Sequence, residues 1–259
     1  FTAFTMADYI ENFVDAIKGP KRVIVIKPRQ VGFSTGCGAY FFWKMNLSPG
    51  MRGIAMADKH KRTEAVRRIY STFLANLPDR LRPMIKKDNT NEISFDNPNN
   101  YKYRRIPGLN SGIIFETAQD PNAGRSEGRL FAHLSEVAFY PYYLQTVEEG
   151  VGNSIPMTNE STVIQETTGN GRVGIGQHVF SLWQAAKRGE SLYKPFFVAW
   201  YESEDYSIMP AKKLILSPDE KEIIKQHPKL TMGNLYWRRL KLLSMSTDRA
   251  SLMGPEERF

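Results

Sequence analysis

The sequence places Lys27-Pro28-Arg29-Gln30-Val31-Gly32-Phe33-Ser34-Thr35 between two apolar runs of different character. The run before it, residues 23–26, is short and consists of valine and isoleucine, which is typical of a buried strand. The run after it, residues 38–43, is rich in aromatic side chains and predicts a helix that begins near Ser34. We therefore expect a strand, a tight loop and a helix start to follow one another here.

This segment is close to the phosphate-binding pattern G-x-x-x-x-G-K-[ST], which occurs in the same strand, loop and helix context. Gly32 falls on the second glycine of the pattern and Ser34 on its hydroxyl position. Lys27 stands where the first glycine is usual, and Phe33 stands where the lysine is usual. A cation is still present in the loop, and the amides at a helix start point toward any bound anion. The segment therefore predicts a phosphate-binding loop of unusual composition.

Length, cysteine content and net charge limit which kinds of protein this chain can be. The chain has 259 residues, enough for one large or two small domains, and no apolar run approaches the ~20 residues that would span a bilayer. Its single cysteine, Cys37, cannot form an internal disulfide, which favours a reducing, intracellular setting. The net charge of +8 suits a polyanionic partner, but a solvated basic surface has the same net charge.

Elsewhere the chain alternates between predicted strands and predicted helices. This alternation indicates an α/β fold with a mostly parallel central sheet that helices cover on both faces. After residue 200 the composition changes to charged helices, so we expect a core over 1–205 and a small helical lid over 206–259. The predicted strands are 23–26, 53–57, 113–117, 130–134, 162–166 and 196–200, with a polar hairpin at 92–95 and 101–106; the predicted helices are 34–45, 59–77, 177–187, 218–227 and 232–244.

A second group of polar residues follows the apolar strand at 130–134. Ser135 and Glu136 come directly after it, where ligands sit in open α/β sheets. ATP hydrolysis needs a carboxylate that orients or deprotonates the attacking water, and Glu136 suits that role. Ser34 and Ser135 are candidate Mg²⁺ ligands, directly or through water. Taken alone, the same residues are also typical of a strand that ends in a turn with an exposed glutamate.

A third group follows the strand at 162–166. Thr167, Thr168 and Asn170 stand in a segment with two glycines, which permits tight backbone geometry near a ligand. An Asn-Gly turn that merely ends a strand has the same composition. The four histidines, in contrast, lack the spacing of metal ligands, which argues against zinc.

The order of these motifs resembles the ATPase domain of the large terminase subunit of tailed bacteriophages. The motifs are K-P-R-Q-V-G-F-S-T, then G-R-S-E-G-R before H-L-S-E-V-A, then T-T-G-N-G. Residues 180–200 and the triplet Tyr236-Trp237-Arg238 are also similar to later parts of that family, so the resemblance spans about residues 20 to 245.

The resemblance implies a P-loop NTPase core of the ASCE type, with an extra strand between its two nucleotide motifs. It also implies that the chain binds ATP and Mg²⁺, that Glu136 is catalytic, and that Thr167, Thr168 and Asn170 couple hydrolysis to movement. Arg29 and Arg125 are both candidates for the cation that stabilises the transition state. The implied ligand-binding residues of the loop are Lys27, Arg29, Gln30, Gly32, Phe33, Ser34 and Thr35.

The resemblance also implies partners. The expected protein is a genome-packaging motor in the host cell cytoplasm that forms a homo-oligomeric ring on the portal protein. Its other partners are the small terminase subunit and double-stranded DNA, and it has no membrane contact. The nuclease domain of full-length relatives is expected to be absent from this chain.

Two residues depart from the family pattern at positions that matter for binding Mg²⁺ and phosphate. Ser135 stands where many members carry aspartate, which removes a charged Mg²⁺ partner. Phe33 replaces the loop lysine, although some members place that lysine early, as Lys27 is placed here. A site that binds nucleotide without hydrolysing it is the alternative interpretation.

Contacts to DNA are expected to ignore base sequence and to involve basic side chains. Two other functions stay open at this point: a helicase-like ATPase that acts on nucleic acid, and a non-catalytic DNA-binding module. A solvated helix face would also explain most of the basic residues. The candidates for DNA contact are Lys59, Lys61, Arg62, Arg67 and Arg68 on one predicted helix, and Arg104 and Arg105.

Overall fold

The structure is a computed structural model that describes residues 8–17, 21–99, 106–124, 128–141 and 144–244. The chain divides into two compact units. The first consists of Phe1–Ile26 with Gly32–Phe196, and the second of Lys27–Val31 with Phe197–Phe259. No helix in the described ranges is long and apolar enough to cross a membrane. The predicted boundary at 205/206 stays a prediction.

Eight strands and seven α-helices follow one another along the described chain, together with four short 3₁₀ turns. The strands are β1 (Lys21–Ile26), β2 (Arg52–Ala57), β3 (Ile85–Asp88), β4 (Glu92–Phe95), β5 (Ser111–Thr117), β6 (Phe131–Ser135), β7 (Thr162–Thr167) and β8 (Tyr193–Phe197). The helices are α1 (Asp8–Ala16), α2 (Phe33–Leu47), α3 (His60–Asn76), α4 (Leu144–Ser154), α5 (Ile175–Lys187), α6 (Pro218–Gln226) and α7 (Met232–Ser244).

The strands form one sheet in the order β3-β4-β5-β2-β6-β7-β1-β8. The pairs β1–β7, β7–β6, β6–β2 and β2–β5 are parallel, whereas β3–β4 and β4–β5 are antiparallel. The predicted α/β fold with a mostly parallel sheet is confirmed. β7 lies between β1 and β6, so the strands that precede the two predicted nucleotide motifs are separated by one extra strand.

The central strands are buried because they consist largely of β-branched and other apolar residues. Ile24, Ile54 and Leu134 have no exposed surface, and α5 packs its Val179 into the same core. Burial on both faces is what a parallel sheet between helices requires.

On the α2 side of the sheet, Phe41 of α2 stacks on Phe131 of β6 with ring centroids 4.5 Å apart. Gly53 pairs with Phe131 in the register of β2 and β6. A Cβ atom at residue 53 would lie 2.1 Å from the Phe131 ring, so this strand position admits only glycine.

Three sequence predictions differ from the structure. The hairpin partner of β4 is β3, with its turn at residues 89–91, while the predicted partner at 101–106 lies almost wholly outside the described residues. The last strand runs over Tyr193–Phe197 rather than 196–200, because a 3₁₀ turn begins at Trp200. Helices α1 and α4 were not predicted.

The buried stripe of α3 also differs from the apolar spacing in its sequence. That spacing is Ala65, Ile69, Phe73 and Leu77, but the buried side chains are Thr63, Val66, Tyr70 and Leu74. Ile69 and Phe73 are half-buried instead, since they lie toward α2, where Phe73 approaches Phe42 with ring centroids 5.6 Å apart.

The second unit contains α6 and α7 and a cluster of aromatic rings. Trp200 stacks on Trp237 at 5.6 Å, and Tyr206 meets Trp237 edge-on at 4.7 Å. Helix α6 begins with a capping box, in which the Ser217 amide donates to Glu220 Oε2 at 2.8 Å and the Glu220 amide donates to Ser217 Oγ at 3.2 Å. Arg239 of α7 donates from Nε to Glu220 Oε1 at 2.6 Å, so this one carboxylate joins the two helices.

The Glu220–Arg239 pair predicts a pH dependence of stability. The hydrogen bond from Arg239 is the main cause that lowers the pKa of Glu220 from 4.5 to about 2. A lowered folded-state pKa stabilises the protein above pH 4.5, and this contribution is lost as pH falls toward 2. We expect Glu220→Gln to lower the melting temperature by several degrees at pH 7, with a difference from wild type that shrinks below pH 4.5. Glu222→Gln, an exposed glutamate on the same helix, is the control; a difference for Glu220→Gln that is constant with pH contradicts the assignment.

Candidate active site

Residues 27–31 belong to the second unit and are anchored there by Tyr206. The Tyr206 hydroxyl donates a hydrogen bond to the Arg29 carbonyl oxygen. Burial raises the pKa of Tyr206, and the nearby cations Lys27 and Arg29 offset part of that rise. The Lys27 side chain is buried, whereas Arg29 and Gln30 are exposed, and Gln30 has the left-handed φ of 58° that a tight loop requires. Sequence analysis did not single out Tyr206, because its 177-residue separation from Arg29 leaves no local pattern.

The first unit begins again at Gly32, which caps α2. Gly32 has φ 67°, a Cβ atom placed on it would meet nothing within 4 Å, and no side chain caps the helix. The first amides of a helix have no partner within the helix, and α2 has no acidic residue in its first turn. Ser34 and Thr35 are half-buried at this helix start. The start of α2 is therefore open, polar and suited to an anion.

The Phe33 side chain does not lie where a phosphate-binding lysine side chain would have to lie. Its side chain is buried and meets Phe13 at 4.7 Å and Phe196 at 6.2 Å between ring centroids. Of the predicted ligand-binding residues, Phe33 can therefore offer an anion only its backbone amide. The lysine position of the usual pattern corresponds here to a side chain of the core.

The ends of β6 and β7 are joined by hydrogen bonds. Glu136 follows β6 with φ 58°, and its Oε2 accepts from the Thr168 amide at 3.3 Å and from Thr168 Oγ1 at 3.2 Å. The Ala138 amide donates to Thr167 Oγ1 at 3.1 Å, and Asn170 Nδ2 donates to the Ala138 carbonyl at 2.7 Å. The structure thus joins the predicted catalytic carboxylate to Thr168, and it joins the two other predicted coupling residues to the backbone of Ala138.

A further carboxylate, Asp58, directly follows β2, the other neighbour of β6. It is 2% exposed, and its Oδ2 lies 3.1 Å from Arg62 Nη1, whereas Oδ1 is buried without a hydrogen-bond partner. Burial raises the pKa of Asp58; Arg62 and Lys59 oppose that rise, and the Glu136 carboxylate adds to it. Asp58 and Glu136 are therefore electrostatically coupled. A carboxylate directly after a buried strand was the available signal for Asp58, and sequence analysis applied it only to Glu136.

Ser135 lies at the end of β6 opposite Glu166 of β7. Glu166 is fully buried, and its Oε1 is 2.9 Å from Nε2 of His133, which is also fully buried. His133 is therefore a core residue that hydrogen-bonds to a carboxylate.

Arg125, Arg104 and Arg105 lie outside the described residues. Within the described ranges there is no cluster of three or more His, Cys, Asp or Glu side chains that could hold a metal ion. Mg²⁺ commonly binds through one or two protein oxygens together with substrate phosphates and water. Hydroxyls at Ser34 and Ser135, a carboxylate at Glu136 and an uncapped helix start are therefore a donor set that fits a triphosphate with Mg²⁺.

No protein-family model and no curated protein sequence matches the chain. Solved structures do match. The large terminase of bacteriophage HK97 aligns over 100% of this chain and 51% of its own length, with a TM-score of 0.64 and 10% identity. The large terminase of a thermophilic bacteriophage aligns over 86% of this chain and 50% of its own, with a TM-score of 0.53 and 10% identity. The same thermophilic phage protein in complex with ADP aligns to the same extent, with 8% identity.

These similarities concern the fold, because the identities are low and the chain spans about half the length of either large terminase. The sheet order agrees with the extra strand that the sequence resemblance implied, since β7 separates the strand before the predicted loop from the strand before Glu136. The chain shares the fold of these phage large terminases.

Proposed function

We propose that this chain is the ATPase motor domain of a viral large terminase subunit, which hydrolyses ATP to move double-stranded DNA into an empty capsid. The observation that carries the proposal is the contact between Glu136 and Thr168 at the ends of adjacent strands. A carboxylate and a hydroxyl in contact at the ends of adjacent strands support the roles of catalytic base and phosphate sensor that we propose for them.

In the proposed reaction, Glu136 orients the attacking water and takes up its proton. Lys27 and the amides at the start of α2 bind the phosphates. Ser34 and Ser135 would hold Mg²⁺, which supplies positive charge to the phosphate oxygens when bound. Arg29 and Arg125 remain the two candidates for the stabilising cation.

Coupling to movement follows from the hydrogen bonds of the segment after β7. Any shift of the Glu136 carboxylate toward a water breaks or lengthens its bonds to Thr168. Thr167 and Asn170 both bond to the Ala138 backbone, so the segments after β6 and β7 move together. We propose that this joined segment transmits the state of the nucleotide to the rest of the chain.

The proposed partners are those of a packaging motor. They are double-stranded DNA, the portal protein, the small terminase subunit and further copies of the chain in a ring. The proposed location is the host cytoplasm.

Two variants separate binding from hydrolysis. We expect Lys27→Ala to weaken binding of a fluorescent ATP analogue by about 10-fold or more, because it removes one charge-assisted hydrogen bond to phosphate. We expect Glu136→Gln to preserve binding and to lower ATP hydrolysis by about 10²–10⁴-fold, the usual contribution of a general base. Titration with the analogue and release of phosphate measure the two effects.

Lys213→Ala and Glu160→Gln are the matched controls, because both side chains are exposed in the structure. If Lys27→Ala and Glu136→Gln leave both binding and hydrolysis at wild-type values, the assignment of the site is wrong. Binding of DNA by a wild-type protein that does not bind the analogue would instead favour the non-catalytic module.

A pair of glycines tests the role of the α2 amides. Gly32 and Gly50 have φ 67° and 75°, and a Cβ atom on either would meet nothing within 4 Å. Alanine at each therefore introduces a similar backbone strain of about 1–2 kcal/mol and no clash. We expect both variants to lose similar thermal stability, but only Gly32→Ala to bind the ATP analogue several-fold more weakly. Equal affinities in the two variants would argue against anion binding at α2.

The structure divides the basic residues of α3 into those that pair with other parts of the fold and those that are only exposed. Arg67 donates from Nε to the Asn89 carbonyl at 2.9 Å, pairs with Asp88 and lies over the Phe115 ring at 5.5 Å. Arg62 pairs with Asp58. These two cations support the fold, whereas three other exposed side chains of the set are better candidates for contact with DNA phosphate. They are Lys59, Lys61 and Arg68.

We expect the triple variant Lys59→Ala, Lys61→Ala and Arg68→Ala to weaken binding to duplex DNA equally for all sequences. The slope of log K against log salt should fall by about 0.9 for each phosphate that the variant no longer neutralises. Fluorescence anisotropy with two unrelated duplexes at several salt concentrations measures both quantities. The control replaces three exposed lysines of the second unit, Lys212, Lys213 and Lys221. An unchanged salt slope in the α3 variant would exclude this helix as the DNA contact.

A further inference from the structure

A glutamate lies fully buried in the middle of the sheet. Glu166 of β7 has no exposed surface, although glutamate is rarely buried unless it is paired. Its partner is His133 of β6, whose Nε2 lies 2.9 Å from Glu166 Oε1. Burying a carboxylate is costly even when it is hydrogen-bonded, so its presence in this strand calls for an explanation.

The register of β6 and β7 puts this carboxylate beside Ser135. Ser135 and Glu166 are directly paired along the two strands. His133 and Ser135 stand two residues apart, so they project from the same face of the sheet. Since Glu166 reaches His133, its side chain projects from that face as well.

This face is the one that α2 covers. Phe131, His133 and Ser135 alternate along β6, and Phe41 of α2 stacks on the first of them and lies 6.3 Å from the His133 ring. Helix α2 begins at the open, uncapped turn that carries Ser34. The buried carboxylate therefore lies on the α2 side of the sheet, next to one of the two hydroxyls proposed to hold Mg²⁺.

We propose that Glu166 supplies the negative charge that the site lacks at Ser135, and that His133 holds it in place. This inference rests on the proposed function. Glu166 acts as a positioning residue: its charge favours a divalent cation at the Ser135 hydroxyl, and the hydrogen bond from His133 keeps the carboxylate turned toward β6. In this proposal the acidic group stands on β7 instead of β6, but it still lies beside Ser135.

The test removes the carboxylate from β7 and then places one on β6 instead. Glu166→Gln keeps the volume and an acceptor for His133 but removes the charge. We expect it to reduce the gain in ATP-analogue affinity that Mg²⁺ produces by about 10-fold, which is typical of residues that support a metal ligand. In the double variant Ser135→Asp with Glu166→Gln, a carboxylate stands on β6 instead, and we expect most of the Mg²⁺-dependent gain to return.

Two further variants serve as controls. Ser135→Asp alone places two carboxylates opposite each other, so we expect it to melt at a lower temperature than the double variant. Glu116→Gln removes a half-buried carboxylate from β5 of the same sheet and should leave the Mg²⁺ dependence unchanged. Melting temperatures of all variants are measured without nucleotide.

The outcomes distinguish this inference from the proposed function. If the wild-type chain binds no ATP analogue at any Mg²⁺ concentration, both are overturned. If the wild type binds with a clear Mg²⁺ dependence and Glu166→Gln does the same, only the role of Glu166 is overturned. Should Glu166→Gln fail to fold alone, the double variant decides: a folded protein with restored Mg²⁺ dependence supports the relocated charge, and one without it contradicts it.

Discussion

The parallel pairing of β6 with β7 is the constraint on which the candidate active site depends. Because Ser135 pairs with Glu166, the two strands end together, and the residues that follow them emerge side by side. Glu136 and Thr168 can then hydrogen-bond although they are 32 residues apart in the sequence. A slip of one residue would turn every side chain of a strand to the opposite face, so Glu136, Ser135 and Glu166 could not keep their neighbours.

The same pairing supports a strained backbone. Glu136 has a left-handed φ of 58°, which costs a non-glycine residue about 1–2 kcal/mol. Such a conformation persists only when its surroundings hold it, and here the Ala138 amide and carbonyl are bound by Thr167 and Asn170. In this conformation the Glu136 carboxylate accepts hydrogen bonds from Thr168, which directly follows β7. The hydrogen bonds that end two strands therefore also aim the carboxylate that is proposed to do the chemistry.

Sequence reasoning was most successful where a property is local. The short apolar runs predicted β1, β2, β5, β6 and β7 to within two residues, and the strand before Lys27 with the helix after it predicted the start of α2. It was wrong about the hairpin partner of β4, which precedes this strand instead of following it, and the apolar spacing of α3 does not match the stripe that is buried against its neighbours. Tyr206 and Glu166 were missed because the contacts that single them out are made with a distant turn and with another strand, whereas Asp58 has the same local signal as Glu136. Arg125 stays a prediction, since it lies outside the described residues.

Phe33 and Ser135 both depart from the usual motif in the same way. At each position an uncharged side chain stands where a charged one is usual. A lysine at residue 33 would have to place an ammonium group among Phe13 and Phe196, where burial of the charge without a partner is very costly. Phenylalanine adds aromatic contacts at that position, and the loop keeps its cation at Lys27. Ser135 is small, and the acidic group that we propose for the site, Glu166, lies on the adjacent strand within hydrogen-bond distance of His133. The proposed nucleotide would respond to charge at a point in space rather than at a position in the sequence, so binding as proposed does not require the usual residue at either motif position.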